Sequence, residues 1–483
     1  MWVNSLNSGY LMLFNSFAFI FFFGVVLALH NLPFSWRIKK TNLLIASYVF
    51  YAAWNPPFVI LLWISTVVDW HVAKRMFAEN RPQARKVLLI ISIVVNLGML
   101  GFFKYGQFLL DNFITFMALF NIEYQPAAWD IILPVGISFY TFQTMAYSLD
   151  VYLKRAEPAK SLLDFSLFVT FFPQLVAGPI VRPTFLIPQF ATPRVASSNQ
   201  LFWGLTMMII GMFSKVVVAD GILAPAAEKV FAASDLLIPV DAWLGTLAFS
   251  GQIFCDFSGY STIAIGVALT LGFSLPNNFN FPYAAIGFSD FWRRWHISLS
   301  SWLRDYLYIP LGGNKKGTKR TFINLMLTML LGGLWHGAAW TFVAWGGLHG
   351  LYLAAERILY QKYQQVAFWS TTQGKVVLAL FTYFLVNITW VFFRAPDFAT
   401  AWRMMQSMLL LQGDKNVLSS QYIMQTVLTI TIMLAIHWYM RNKILEQVVN
   451  NISLPTIGAT CATMMFFIAI TQGGSNAFIY FQF

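Results

Sequence analysis

Phe288–Gly350 reads FSDFWRRWHISLSSWLRDYLYIPLGGNKKGTKRTFINLMLTMLLGGLWHGAAWTFVAWGGLHG. Four basic residues, Lys315, Lys316, Lys319 and Arg320, sit on a glycine-containing loop within it. The run Thr321–Trp335 that follows carries no charge and ends at His336. A basic loop feeding an uncharged helical run is the pattern of a membrane segment anchored on its cytoplasmic side. From Arg320 to His336 is sixteen residues, about 24 Å of regular helix, so His336 lies far from the basic loop. An ionisable residue deep in an apolar segment is costly and marks a candidate functional site.

The rest of the chain agrees with a membrane setting. Of 483 residues 58% are hydrophobic and only 10% charged, against about 25% charged in soluble domains, so no water-facing surface can be built. The net charge of +12 lies in short clusters between apolar runs, which points to anionic lipid headgroups and away from nucleic acid. Leu11–Leu29 reads as a retained first span, because no basic residues precede it and no small-residue cleavage site follows. Further runs are Asn42–Trp54, Phe58–Trp70, Val87–Phe103, Phe108–Phe120, Leu201–Val218, Val376–Phe393, Ile423–Met440 and Thr456–Thr471.

Three other apolar runs, Ile131–Leu153, Phe165–Ile180 and Trp243–Leu271, carry polar residues or prolines. Such segments suit the protein interior rather than lipid. At about 20 residues per span, the count is roughly eleven plus one or two re-entrant pieces. No internal repeat or linker divides the chain, so 1–483 reads as a single all-α, polytopic membrane domain. Cys255 and Cys461 read as buried free thiols.

Asp290–Tyr308 fits one helix, with Trp292, Trp295, His296, Leu299 and Trp302 on one face and Arg293, Arg294 and Arg304 on another. That amphipathy suits a membrane interface and turns His296 inward. Gly332 and Gly333 are positions where the next helix can bend. For His336 and His296 two readings stand side by side: proton transfer at neutral pH, or a hydrogen bond to a neighbouring helix. His349, in GGLHG, reads as packing. His336 and His349 lack the i, i+4 spacing of a helical metal pair, so no metal is expected.

FWRRWHISLSSWLRDYLYIPLGG and LMLTMLLGGLWHG resemble the membrane-bound O-acyltransferase family, specifically the bacterial branch that O-acetylates alginate and peptidoglycan or D-alanylates teichoic acid. LPVGISFYTFQTMAYSLDVY, FFPQLVAGPIVRP and FCDFSGYSTIAIG add to the likeness, which runs from about Leu43 to the C-terminus. The resemblance implies a ring of helices around a central funnel. It implies that His336, in LWHG, is the catalytic histidine and that His296, in RWHIS, is a second functional position. It further implies an acetyl-CoA donor docking near Arg293, Arg294, Lys315 and Lys316, and no bound cofactor.

The same likeness implies a place in the bacterial inner membrane and a periplasmic polysaccharide acetyltransferase partner of the SGNH type. The product would be an O-acetylated exopolysaccharide of the alginate type, with peptidoglycan or another envelope glycan as the alternative. The tail NAFIYFQF resembles the end of a small partner peptide of the D-alanylation system, which makes Tyr480 either an acyl relay or an aromatic membrane anchor. A polysaccharide or lipid transporter is the rival class, but the internal repeats and midplane charges of such proteins are lacking in the sequence.

Overall fold

The computed structural model describes residues 12–127, 131–363, 365–410, 413–471 and 479. Among them the regular structure is helical; the sole extended pairing is an isolated bridge between Leu237 and Lys415. Among the described residues seven helices are long and apolar enough to cross a membrane, from Pro56–Ala78 to Leu454–Thr471, and Phe17–Asn31 is a shorter apolar helix. The chain is a multi-pass membrane protein. Two runs that look separate in the sequence, Val87–Phe103 and Phe108–Phe120, are one helix, Pro82–Ala118. The intervening Lys104 to Gln107 contain no proline, and the single glycine, Gly106, weakens a helix without breaking it.

The described residues pack as two compact units, those within 1–205 and 264–276, and those within 206–263 and 277–483. In the first, α1 (Val59–Ala78), α2 (Pro82–Ala118) and α3 (Ile137–Tyr152) bury a polar cluster. The Asp69 carboxylate accepts from Ser92 Oγ at 2.5 Å, Asn96 Nδ2 at 2.8 Å and Ser148 Oγ at 3.2 Å. Asn96 Oδ1 in turn accepts from Ser65 and Thr144. Buried polar groups must find partners, and here five side chains on three helices supply them. This is why α3, despite its serines and threonines, is buried along almost its whole length.

FFPQLVAGPI is irregular, as its prolines require. A helix over Leu162–Thr170 stops, and a short turn over Phe172–Leu175 follows. The Phe172 N–H turns to Ser47 Oγ. The carbonyl of Phe168, freed by the break, accepts from Gln143 and Gln174 instead. The backbone is thus satisfied inside the protein, the condition for irregular chain in an apolar setting.

The second unit is organised by a helical hairpin, α4 (Gly317–His336) and α5 (Trp340–Tyr363). The two backbones touch: a Cβ on Gly333 would lie 2.2 Å from the Phe342 carbonyl, and one on Gly346 would lie 2.2 Å from the Met329 carbonyl. Gly333 therefore serves close helix approach, the role small residues play in membranes. The helix continues unbroken through it to His336.

Candidate active site

Asp290–Tyr308 is not one helix. It is a helix over Phe288–Arg294, a second over Ile297–Leu303, and a π-helical turn over Arg304–Tyr308. The break falls at His296, whose φ of 43° and ψ of 55° place it in the left-handed region. A histidine there is strained, so something must hold it. That something is Asn278. Its carbonyl accepts from the Ile297 N–H at 2.9 Å. Its side-chain Oδ1 accepts from the Ser298 N–H at 3.2 Å and Ser298 Oγ at 2.8 Å. Asn280 N–H closes the same turn on the Arg294 carbonyl.

The bond between Asn278 and His296 Nδ1, at 3.2 Å, then fixes a tautomer. The Ser298 N–H can only donate, so the atom of Asn278 facing it is the amide oxygen. An amide oxygen can only accept. His296 therefore carries a proton on Nδ1, and in the neutral ring the lone pair is at Nε2. Asn278 Nδ2 is spent on Ser261 Oγ at 3.3 Å, which anchors the assembly to the helix behind it. The left-handed turn is what takes the ring off the helical face and into the unit's interior, where it is fully buried.

His336 ends α4 and meets it there. The two imidazole centroids are 6.3 Å apart. His336 is boxed by Trp335, Trp345 and Phe393, at 5.1, 5.0 and 5.4 Å between centroids. Trp345 reaches His336 because the Gly333–Gly346 contact brings the two helices to backbone distance. Two histidines forty positions apart are thus gathered in one aromatic enclosure. His349 stands apart in role: its Nε2 is bonded to Thr389 Oγ1 at 3.0 Å, and it packs on Trp345 and Trp292. His437 accepts the Tyr283 N–H and stacks on Tyr283.

The basic residues divide. Arg293, Lys315 and Lys316 are exposed. Arg294, expected beside Arg293 at a donor-binding surface, is turned inward. It pairs with Asp290 at 2.9 Å and donates to the carbonyls of Asn280 and Arg441. Arg441 reaches the other oxygen of Asp290 at 2.8 Å. Glu356 accepts from the first two N–H groups of the Phe288–Arg294 helix. These ties hold the segment that carries His296. Tyr480 lies outside the described residues. Among the described residues no group of three His, Cys, Asp or Glu side chains converges in a metal-binding arrangement.

Asn278 was not singled out from the sequence. The signal was there: PNNFNFPY, 276–283, is a polar, turn-forming run set between two apolar blocks, and polar residues in that position need partners.

Residues 153–393, which include both histidines, match the family model of the membrane-bound O-acyltransferases. A probable alginate O-acetylase of Azotobacter vinelandii is 44% identical over 402 residues, covering 82% of this chain and 78% of the relative. The chain belongs to the membrane-bound O-acyltransferase family. A peptidoglycan O-acetyltransferase of Helicobacter pylori is 35% identical over 494 residues, covering 92% of this chain and 91% of the relative. A teichoic acid D-alanyltransferase of Bacillus subtilis is 32% identical over 233 residues, 45% of this chain and 57% of the relative. This membrane-bound O-acyltransferase therefore transfers acyl groups to oxygen, and the paired histidines are its candidate catalytic centre.

Proposed function

We propose that this acyltransferase moves an acetyl group from acetyl-CoA to a hydroxyl, for O-acetylation of an extracytoplasmic polysaccharide of the alginate type. The observation that carries the reading is the paired imidazoles in one enclosure, one of them held as a defined tautomer. His336 is the general base. It takes the proton of the acceptor hydroxyl as the oxygen attacks the thioester carbonyl; the carbon–sulfur bond breaks, and the proton passes to the departing CoA thiolate. The imidazolium formed on the way sits at the C-terminal end of α4, where the helix dipole favours positive charge. His296, with Nδ1–H held by Asn278, offers Nε2 as an acceptor. It is suited to orienting a donor group of the acceptor molecule, not to donating to an oxyanion.

The exposed Arg293, Lys315 and Lys316 contact the phosphates of CoA, and Arg294 positions the helix that presents Arg293. The basic loops are cytoplasmic by the positive-inside rule, and the enzyme resides in the inner membrane, as its likeness to the bacterial O-acetylases implies. The acetyl group leaves through Tyr480, as an acyl relay, to a periplasmic acetyltransferase of the SGNH type. A second reading, O-acetylation of peptidoglycan, is favoured by one observation: the Helicobacter relative aligns over more of this chain than the alginate-type one.

Purified protein supplied with isotope-labelled acetyl-CoA tests the chemistry. His336→Ala should lower thioester turnover by about 100-fold or more while folding normally. A folded His336→Ala enzyme with wild-type turnover overturns the assignment. Label recovered on alginate-type oligomers, or on muropeptides, when the periplasmic partner is supplied separates the two polysaccharide readings.

A further inference from the structure

Lys215, Asp220 and Asp256 form a buried ionic cluster in the second unit that the reaction above does not use. Lys215 Nζ lies 2.6 Å from Asp256 Oδ1 and 3.0 Å from Asp220 Oδ1. The Asp256 side chain is 1% exposed. Buried ions in an apolar setting are expensive and are kept for a reason. Two local features build this cluster. Lys215 and Asp220 share an unusual π-helix over Phe213–Leu223, a geometry that recurs at functional sites. Gly259 allows the approach to Asp256, because a Cβ there would lie 2.7 Å from the Gly211 carbonyl and 3.1 Å from the Lys215 nitrogen.

The second carboxylate oxygen points to the purpose. Asp256 Oδ2 accepts the backbone N–H of Ile479 at 2.8 Å, across 223 positions of sequence. The Ile479 side chain is itself buried, in the same apolar core as Leu223 and Ala219 of the π-helix. The π-helix also meets the point from which the tail departs: a Cβ on Gly221 would lie 2.5 Å from Thr471 Cγ2. The cluster thus holds a backbone amide of the tail, and the residue after Ile479 is Tyr480.

We propose that the Asp256–Lys215 pair is a clasp that seats the C-terminal tail, and that Asp256 is a positioning residue for Tyr480. The seating stands on the contacts above; the positioning rests on the relay reading of Tyr480. Lys215 holds one carboxylate oxygen, which leaves the other aimed at the tail. The bond to the tail amide is charge-assisted and correspondingly strong. Asp256→Asn keeps the shape but not the polarity. Its amide oxygen would turn to Lys215, and its NH2 would then face the Ile479 N–H, donor against donor. Ile479→Pro removes the same N–H from the other side, while Ile479→Val keeps it.

The full chain in detergent is followed by hydrogen exchange over the peptide 472–483, with size-exclusion elution as the check on folding. Wild type and Ile479→Val should be protected. Asp256→Asn and Ile479→Pro should exchange about tenfold faster or more. Wild-type protection in a folded Asp256→Asn protein overturns the clasp; if that variant does not fold, Ile479→Pro decides by the same criterion. The same samples are given labelled acetyl-CoA, and label on the Tyr480 peptide is counted by mass spectrometry. It should fall about tenfold in the two clasp-breaking variants. Undiminished label in them overturns the positioning role. A wild-type tail that is protected yet takes no label removes the relay reading and leaves the clasp standing.

Discussion

Asn278→Ala is the perturbation that most directly tests how the candidate centre is built. The side chain accepts three hydrogen bonds, from His296 Nδ1, Ser298 N–H and Ser298 Oγ, and donates one to Ser261. A hydrogen bond contributes about 1 kcal/mol net, and a buried donor left facing a void costs about 1–3 kcal/mol. The Ser298 hydroxyl can rotate to another acceptor and the Ser261 oxygen loses only one donor, but the Ser298 N–H and the His296 ring cannot turn away. The expected destabilisation is therefore about 3 kcal/mol. His296 would also lose the acceptor that fixes its tautomer, and its left-handed turn would keep its backbone bonds but lose the side-chain hold on the Ser298 N–H. A displaced catalytic group costs on the order of 100-fold in rate.

Turnover of labelled acetyl-CoA, normalised to the folded fraction from size exclusion, measures the second effect; thermal unfolding in detergent measures the first. The double variant Asn278→Ala/His296→Ala supplies the decisive comparison. If Asn278 acts through His296, removing it from a protein already lacking the imidazole changes turnover little. A folded Asn278→Ala enzyme with wild-type turnover, or a double variant whose losses simply multiply, would refute the tautomer argument.

Gly346→Val should separate α4 from α5, since even its Cβ would lie 2.2 Å from the Met329 carbonyl; about 3 kcal/mol of stability and most turnover should be lost, both read from one unfolding and activity series. Asp69→Ala removes the shared acceptor of Ser92, Asn96 and Ser148, so the unfolding midpoint should drop with a loss of about 2–4 kcal/mol while KM for the donor stays at the wild-type value. Arg293→Ala combined with Lys315→Ala should raise KM for acetyl-CoA and weaken its salt dependence, with kcat nearly unchanged, because both side chains are exposed and their charges would hold donor and transition state alike.

Asp290 supplies a pH signature. Burial acts to raise its carboxyl pKa, but the Ile286 N–H and the Arg441 and Arg294 guanidiniums outweigh it and hold the group below the ordinary carboxylate value. A depressed carboxyl contributes stability above its unfolded value of about 3.9, and that contribution is lost as pH falls through the lower folded value. Wild type should thus unfold later than Asp290→Asn at pH 7, and the gap should close under acid; a gap independent of pH contradicts the ion-pair account.

Much of the protein was legible in the sequence, for a physical reason. A chain with few charges and many long apolar runs cannot dissolve its surface in water, so multi-pass helical structure followed from composition. His336, reached through an uncharged run, stood out because burying an imidazole there is expensive. The polar residues of Ile131–Leu153 correctly signalled a helix packed inside protein, and the prolines of FFPQLVAGPI correctly signalled irregular backbone.

Tertiary structure decided what local pattern could not carry. Periodicity through Asp290–Tyr308 fits an unbroken helix, because nothing local to it reveals the Asn278 contacts that bend it at His296. Arg293 and Arg294 are adjacent and identical in type, yet Asp290, Asn280 and Arg441 draw only the second inward. Gly333 invites a bend when seen alone and proves to be a contact only when α5 lies against it. The Asp256 grip on Ile479 spans nearly half the chain. Composition and helical period are sums over neighbours along the sequence. A hydrogen bond between distant residues depends on where packing brings the backbone, and that is fixed only when the whole unit folds.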